Sequence, residues 1–383
     1  MTQDDAPLPG AATLADVAEA ARVSLATASR VFSSPALVRD ATAQRVLDAA
    51  RTLRFRPNLL GSKLRAQRTR MIGVMLPTLE NAVFAECWHG IEEAALAAGY
   101  SLMLVTSGYR PERERERVEY LLRHRVDGMV LTVADAARSA VLDQLDTEDI
   151  PYVLAYNQAG PRGRRHSVSV DNRASACAGV QALLAAGHRR IAVVSGAFIA
   201  SDRARQRFAG YQDAMRAQGL APAPALCLPS HTASNADQLA ALMAGPGAPT
   251  ALFCTNDLLA IGVISDLRRL GLRVPADVSV LGYDGIALGT AVEPALATVA
   301  QPSGEIGAQA IARLLARLEP GAAPAGARVT LLAHALRPGG TIGAPPGDAA
   351  AAGADAIVPD ASSDAAPAAL SDAVPPAVQP RSS

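Results

Sequence analysis

TLADVAEAARVSLATASRVF, residues 13–32, decides how the first part of the chain folds. Leu14, Val17, Ala18 and Ala21 recur at the i, i+3, i+4, i+7 spacing of one helical face. Ser24 is placed to cap a second helix running to about Phe32, with Thr27, Ala28 and Val31 turned inward. After the loop Ser33-Ser34-Pro35, Asp40 reads as the cap of a third helix whose apolar stripe is Val46, Ala50 and Leu53. Three short helices with a tight break at Ala21–Val23 form the helix-turn-helix pattern.

The outward face of the second helix carries Leu25, Ala26, Ser29 and Arg30. A helix seated in the major groove reads bases near its N-terminus, and arginine is the usual partner of guanine. The same face also suits a small helical domain with a solvated arginine. Local charge favours DNA. Residues 11–70 hold eleven Lys/Arg and four Asp/Glu, a net +7, inside a chain whose 36 basic and 36 acidic residues cancel.

Working outward, Pro57 stops the third helix, and NLLGSKLRAQRTR (58–70) is a basic connector. From Met71 the periodicity changes. Short apolar runs alternate with amphipathic stretches: MIGVML (71–76), SLMLV (101–105), GMVLTV (128–133), YVLA (152–155), RIAVVS (190–195), TALFC (250–254), VSVLGY (278–283) and LATVA (296–300). This is the βαβ rhythm of parallel sheets, and eight or more strands suggest two of them.

Composition bounds the ends and the chemistry. With 383 residues, half of them hydrophobic, the chain has room for two or three domains. Residues 1–12 read as a disordered leader. Residues 341–383 hold 14 Ala, 7 Pro and no aromatic residue, with a net −4, so this Ala/Pro/Asp-rich tail is also expected to be disordered. The single lysine, Lys63, does not sit in a Walker A phosphate loop. Cys87, Cys177, Cys227 and Cys254 are far apart, as suits a reduced cytoplasmic protein. No apolar run of membrane-spanning length and no signal peptide is seen, so no membrane association is expected. His124 and His188 lack ligand-spaced partners, and neither a metal site nor a cofactor is expected. The alternating Glu/Arg run from Glu112 to Glu119 reads as a solvated helix with i,i+3 pairs. Arg162, Arg164 and Arg165 read as a surface loop cluster.

These blocks resemble the lactose-repressor (LacI) family of transcriptional regulators. The resemblance runs through TLADVAEAARVSLATASRVF (13–32), RFRPNLLGSKLR (54–65) and MIGV (71–74). It continues through GHRRIAVVSG (187–196), RQRFAGY (205–211), TNDLLAIG (255–262), VSVLGYDG (278–285) and LATVAQP (296–302). Within the family, PTLENAVFAECWHGIE (77–92) and GYRPERERERVEYLL (108–122) look most like the gluconate repressor. The implied architecture is α plus α/β. It comprises a helix-turn-helix headpiece (13–57), a hinge helix (58–70) and a two-lobed, periplasmic-binding-protein-like effector and dimerisation domain (71–340). The implied assembly is a homodimer on a pseudo-palindromic operator. The tail lacks the leucine-heptad helix of the family's tetramers.

The resemblance also implies site residues. The DNA-binding candidates are Thr13, Ser24, Leu25, Ala26, Thr27, Ser29, Arg30, Asn58, Gly61, Leu64 and Arg65. Leu64 takes the place of the leucine that wedges into the minor groove, and Asn58 that of the asparagine after proline. Gly61-Ser62 stands where the family usually has Ala-Arg, and glycine weakens a helix by about 1 kcal/mol. A plain basic linker is the alternative reading of this stretch.

The effector candidates follow strand ends, where open α/β sheets bind ligands. They are Pro77, Asn81, Phe84, Tyr109, Asp171, Asn256, Asp284 and Gln301, with Arg207 in the helix after strand 190–195. Arg207 takes the place of the family's sugar-binding arginine, and Asn256, Asp284 and Gln301 match other effector-contacting positions. A planar guanidinium grips a carboxylate at two points, and amides suit hydroxyls. The expected function is a DNA-binding repressor released by a small sugar or sugar acid such as gluconate. The alternatives are an exported solute-binding protein or a regulator answering to a neutral sugar. An enzyme is not expected, since no nucleophile–base pair stands out.

Overall fold

The computed structural model describes residues 12–33, 37–55, 69–158, 165–319 and 328–347. Three helices come first, α1 (Leu14–Ala20), α2 (Leu25–Ser33) and α3 (Asp40–Thr52). Thr13 opens α1 with a capping box. Asp16 N donates to Thr13 Oγ1 (3.3 Å), and the Asp16 carboxylate accepts from Thr13 N (2.7 Å). Arg22, at φ +53°, turns the chain toward α2. Ser24 Oγ accepts from Thr27 N at 3.1 Å. The third cap is a correction. The N-cap of α3 is Arg39, without a side-chain bond, and Asp40 is the first helical residue. There its carboxylate acts on the helix dipole instead. Val17, Ala18, Ala21, Ala28, Val31, Val46 and Ala50 form the core. Leu53, expected inward, is 36% exposed.

The remainder holds β1 (Met71–Leu76), α4 (Ala82–Ala97), β2 (Ser101–Thr106), α5 (Pro111–Arg123), β3 (Gly128–Leu131), α6 (Ala140–Thr147), β4 (Tyr152–Ala155) and β5 (Ser167–Val170). It continues through α7 (Asn172–Ala185), β6 (Ile191–Gly196), α8 (Asp202–Ala217), β7 (Leu226–Leu228), α9 (Ala236–Met243), β8 (Ala251–Cys254) and α10 (Asp257–Arg269). Last come β9 (Ser279–Asp284), α11 (Leu288–Ala291), β10 (Ala297–Ala300), α12 (Ser303–Leu318), β11 (Val329–Leu332) and β12 (Ala335–Arg337). Two six-stranded sheets result, in the orders β11-β5-β4-β3-β1-β2 and β12-β10-β9-β8-β6-β7. Every pairing is parallel except β10 with β12.

Each sheet centres one lobe. The chain passes between lobes after β5, after β10 and after β11, so the two lobes share three short connections. In each lobe one helix pair crosses closely enough to need glycine. A Cβ on Gly90 of α4 would lie 2.0 Å from Gly304 O of α12, and one on Gly210 of α8 would lie 2.1 Å from Arg173 O of α7.

Several expectations meet the structure here. All eight anticipated strands form, within two residues at their ends. Glu114 is not solvated. It is buried, and its carboxylate accepts from Ala134 N at 2.6 Å. Arg165 is not a loose surface residue either, since its guanidinium pairs with Asp143 and Asp146. Packing also runs past residue 340. Thr341 is completely buried, accepting from Ala297 N (2.9 Å) and donating to Val280 O (2.7 Å). The rest of the anticipated tail (348–383), the leader to residue 11, the hinge residues Asn58, Gly61, Leu64 and Arg65, and Arg162 and Arg164 lie outside the described residues. Among the described residues no helix is long and apolar enough to cross a membrane.

Candidate effector cleft and DNA-reading face

The carboxyl ends of β1, β8, β9 and β10 converge with the start of α8 on a cavity between the lobes. Seven of the nine expected effector residues line it: Asn81, Phe84, Tyr109, Arg207, Asn256, Asp284 and Gln301. The other two do not. Pro77 is buried in the strand-end turn, where its carbonyl accepts from Gly108 N (2.7 Å). Asp171 caps α7, accepting from Arg173 N (3.1 Å) and Ala174 N (3.0 Å).

Asp284 is the hub. Its backbone sits at φ +124°, an unfavourable conformation for a side-chain-bearing residue. The next two amides hold it there, since Gly285 N and Ile286 N donate to Asp257 Oδ2 at 2.7 and 2.9 Å. The turned carboxylate accepts from Gln301 Nε2 (2.8 Å) and Asn81 Nδ2 (3.1 Å), and Arg207 Nη1 lies 3.3 Å away. Burial raises its pKa to about 7, against the opposing pull of Arg207.

Arg207 is heavily engaged. Its Nε donates to Asn172 Oδ1 (2.9 Å), and its Nη1 donates to Thr255 O (2.6 Å) as well as facing Asp284. Its guanidinium carbon lies 3.6 Å from the Tyr283 ring centroid. Asn256 is also committed. It caps α10 by accepting from Leu259 N (2.8 Å) and donates to His231 O (2.8 Å). On the facing wall, Phe84 meets Tyr156 and Tyr109 edge-on, and Tyr109 stacks on His231 at 4.2 Å.

Sequence reasoning missed five polar lining residues, Tyr156, Ser201, Arg203, His231 and Thr255, of which His231 and Arg203 carry titratable side chains that bear on the charge of the site. His231 follows β7, a three-residue strand too short to register as an apolar run. Burial and nearby Arg203 lower its pKa to about 4, so it is a neutral ring at pH 7. Arg203 lies one helical turn before Arg207, and that i,i+4 spacing was a usable signal. It is 5% exposed. Its Nη1 donates to Val133 O (2.8 Å) and lies 3.2 Å from Asp202 Oδ1. Among the described residues, no acceptor partners the buried Nη2.

Arg203 belongs to a seam that ties the lobes. Asp202 N donates to Ala134 O (2.7 Å), and the Asp202 carboxylate accepts from Ala136 N (3.0 Å) and Asn157 Nδ2 (2.8 Å). Arg205 pairs with Asp135 at 2.8 Å. Glu114 lies beside this seam, and burial raises its pKa to about 7.

In the helical region, Leu25, Ala26 and Arg30 are exposed on α2, and Ser29 and Thr27 are half-buried. Thr13 and Ser24 serve as helix caps, and Thr27 shares the Ser24 cap.

Known proteins match both regions. The profile described as bacterial regulatory proteins, lacI family, matches residues 13–58, and one described as a periplasmic binding protein-like domain matches 180–342. The chain is 32% identical over 310 residues to the HTH-type transcriptional repressor PurR of Histophilus somni, covering 80% of this chain and 92% of that one. It is 32% identical over 311 residues to the repressor CytR of Escherichia coli, covering 81% and 90%. A crystal structure of the lac repressor dimer bound to operator and the anti-inducer ONPF superposes with TM-score 0.75 at 28% identity, covering 87% and 99%. The chain belongs to the LacI family of DNA-binding transcriptional regulators.

Proposed function

We propose that this regulator is a homodimeric repressor that a small sugar acid of the gluconate type releases from a pseudo-palindromic operator. In this reading residues 13–57 read the DNA, 58–70 order as a hinge helix on contact, and 71–340 bind the effector and pair the two copies. The observation that carries the ligand class is the presence of two buried guanidinium groups, Arg203 and Arg207, in one cavity with amides and rings. Asp284 faces Arg207 and Asp202 faces Arg203, each through Nη1, and the Nη2 of Arg203 is left buried without an acceptor among the described residues. Guanidinium groups suit a carboxylate, and the amides of Asn81 and Gln301 suit hydroxyls. Residues 77–92 and 108–122, which resemble the gluconate repressor, supply Asn81, Phe84 and Tyr109 to the lining.

Ligand between the lobes favours the closed form, and DNA affinity falls by the ligand's differential affinity for the two forms. The test is calorimetric titration of the full chain with gluconate, a ketogluconate and a neutral hexose. Gel shifts on an operator selected from a random pseudo-palindromic pool accompany it. Micromolar binding of an acid that also releases DNA is expected. Micromolar binding of the hexose with none for the acids assigns the cleft to a neutral sugar instead.

A further inference from the structure

The sugar-acid reading leaves open which group holds the acid, and the geometry points to Arg203 rather than Arg207. We infer that the Nη2 of Arg203 anchors the effector's anionic group, and that through Nη1 the same guanidinium couples occupancy of the cleft to lobe closure. Both arginines leave Nη2 without a hydrogen bond among the described residues, and they differ in that the Nη2 of Arg203 is the fully buried one. Arg207 already faces Asn172, Thr255 O and Asp284, so an incoming carboxylate would compete with a partner held in place by Gln301 and Asn81. Arg203 is equally buried, lines the same cavity, and has Nη2 without an acceptor among the described residues. A buried charged donor left unsatisfied is costly, and a carboxylate or phosphate oxygen removes that cost with a charge-assisted bond. The ring beside it, His231, is neutral and brings no competing charge.

The coupling follows from the rigid fork of the guanidinium. Arg203 extends from α8 in one lobe, and its Nη1 holds Val133 O after β3 in the other. An anion on Nη2 fixes the guanidinium plane, and the plane fixes the Val133 bond. Ligand binding thus strengthens a contact that exists only when the lobes are together.

The inference rests on the sugar-acid reading for its natural ligand, so the experiment includes a probe independent of it. Gluconate, the matched neutral polyol glucitol, and inorganic phosphate are titrated calorimetrically into the full-length protein and into Arg203→Gln, Arg203→Lys and Arg205→Gln. Thermal denaturation of each variant runs in parallel. In the unsubstituted protein gluconate should bind more tightly than glucitol by about tenfold to a hundredfold, the range of a hydrogen bond to a charged group. Arg203→Gln should erase that preference by weakening gluconate and leaving glucitol unchanged. Arg203→Lys should keep part of the preference, which serves if the glutamine variant does not fold. Arg205→Gln removes the same charge outside the cavity lining and should keep the full preference. Gluconate binding unaltered by Arg203→Gln overturns the inference and leaves the sugar-acid reading standing. Phosphate binding that depends on Arg203, without gluconate binding, overturns the sugar-acid reading and upholds the anchor. No Arg203-dependent anion at all overturns the inference.

Discussion

The helical headpiece and the inter-lobe cleft handle charge in opposite ways. Among its described residues the headpiece buries only small apolar side chains, Val17, Ala18, Ala21, Ala28, Val31, Val46 and Ala50, and leaves Arg30 exposed on α2. The cleft and its seam bury Arg203, Arg207, Asp202 and Asp284. Exposed charge acts through long-range, salt-screened attraction, which suits a polyanion met by diffusion. Buried charge acts over one bond length and discriminates among small ligands by geometry. Substitutions in the two regions should therefore separate. Cleft variants should change body stability and ligand response, and headpiece variants should change DNA affinity and sequence preference.

The sharpest break of that comparison is Arg207→Met. It removes the cation beside buried Asp284 and the donor to Thr255 O, and breaking a buried pair costs about 3–5 kcal/mol. The body should melt at lower temperature and the ligand response should vanish. Gel shifts run well below that melting point should show unchanged operator affinity. Adding Asp284→Asn removes the orphaned carboxylate and should restore part of the lost stability. A fall in DNA affinity matching the loss of stability would show that the two regions do not separate.

Protonation sharpens the comparison next. Burial raises the Glu114 carboxyl to about 7 in the folded protein, above its ordinary range in the unfolded chain. The folded state then holds the proton more tightly. The destabilising effect is absent at acid pH, grows as pH rises between the two values, and is complete above about pH 7. Asp284 contributes with the same sign. The body should melt higher at pH 5.5 than at pH 8. Glu114→Gln should remove up to about 2 kcal/mol of that dependence. Calorimetric melts across this range check it, and a slope unchanged by Glu114→Gln counts against the buried carboxyl as its source.

Arg30→Ala probes the exposed side. Losing a bidentate base contact should cost about 1–3 kcal/mol of operator affinity and relax preference at one base pair, with gluconate binding unchanged. Selection of preferred operators by the variant reads this directly. An unaltered preference removes Arg30 from base reading.

What was legible in the sequence divides along the same line. The caps at Thr13 and Ser24 and the strand Met71–Leu76 depend on neighbours within a few residues, so local pattern reveals them. The strand Ser167–Val170 escaped because its buried serines break the apolar run. Ser169 Oγ is satisfied by Tyr156 O, a contact made by tertiary structure. Seven cleft residues were legible from strand ends and family motifs. Arg203 offered only its i,i+4 spacing to Arg207 as a signal, because its importance lies in what its guanidinium lacks after folding. Glu114 read as one more charge in an alternating run, and only the packing of α5 near Ala134 buries it.

The smallest expected effect falls on Thr13, where two roles can be told apart. Family resemblance makes it a DNA-contact candidate, and the structure makes it the cap of α1. Its Oγ1 accepts from Asp16 N and donates to Asp16 Oδ2 at 2.8 Å. Asp16 has a lowered pKa, because the Thr13 backbone and side-chain hydrogen bonds favour its charged form. The box is therefore intact at neutral pH and loosens as pH falls through that lowered value. Thr13→Ala removes an oxygen from a seven-residue helix and should cost about 0.5–2 kcal/mol of local stability. Thr13→Ser keeps the oxygen and should cost little. Hydrogen exchange at the α1 amides of the full chain measures the cap, and gel shifts at low temperature measure the DNA contact. If the role is capping alone, alanine speeds exchange while operator affinity stays within the range expected for a surface change. If the hydroxyl also meets phosphate, affinity falls in the alanine variant even where the helix is fully formed, and serine restores it.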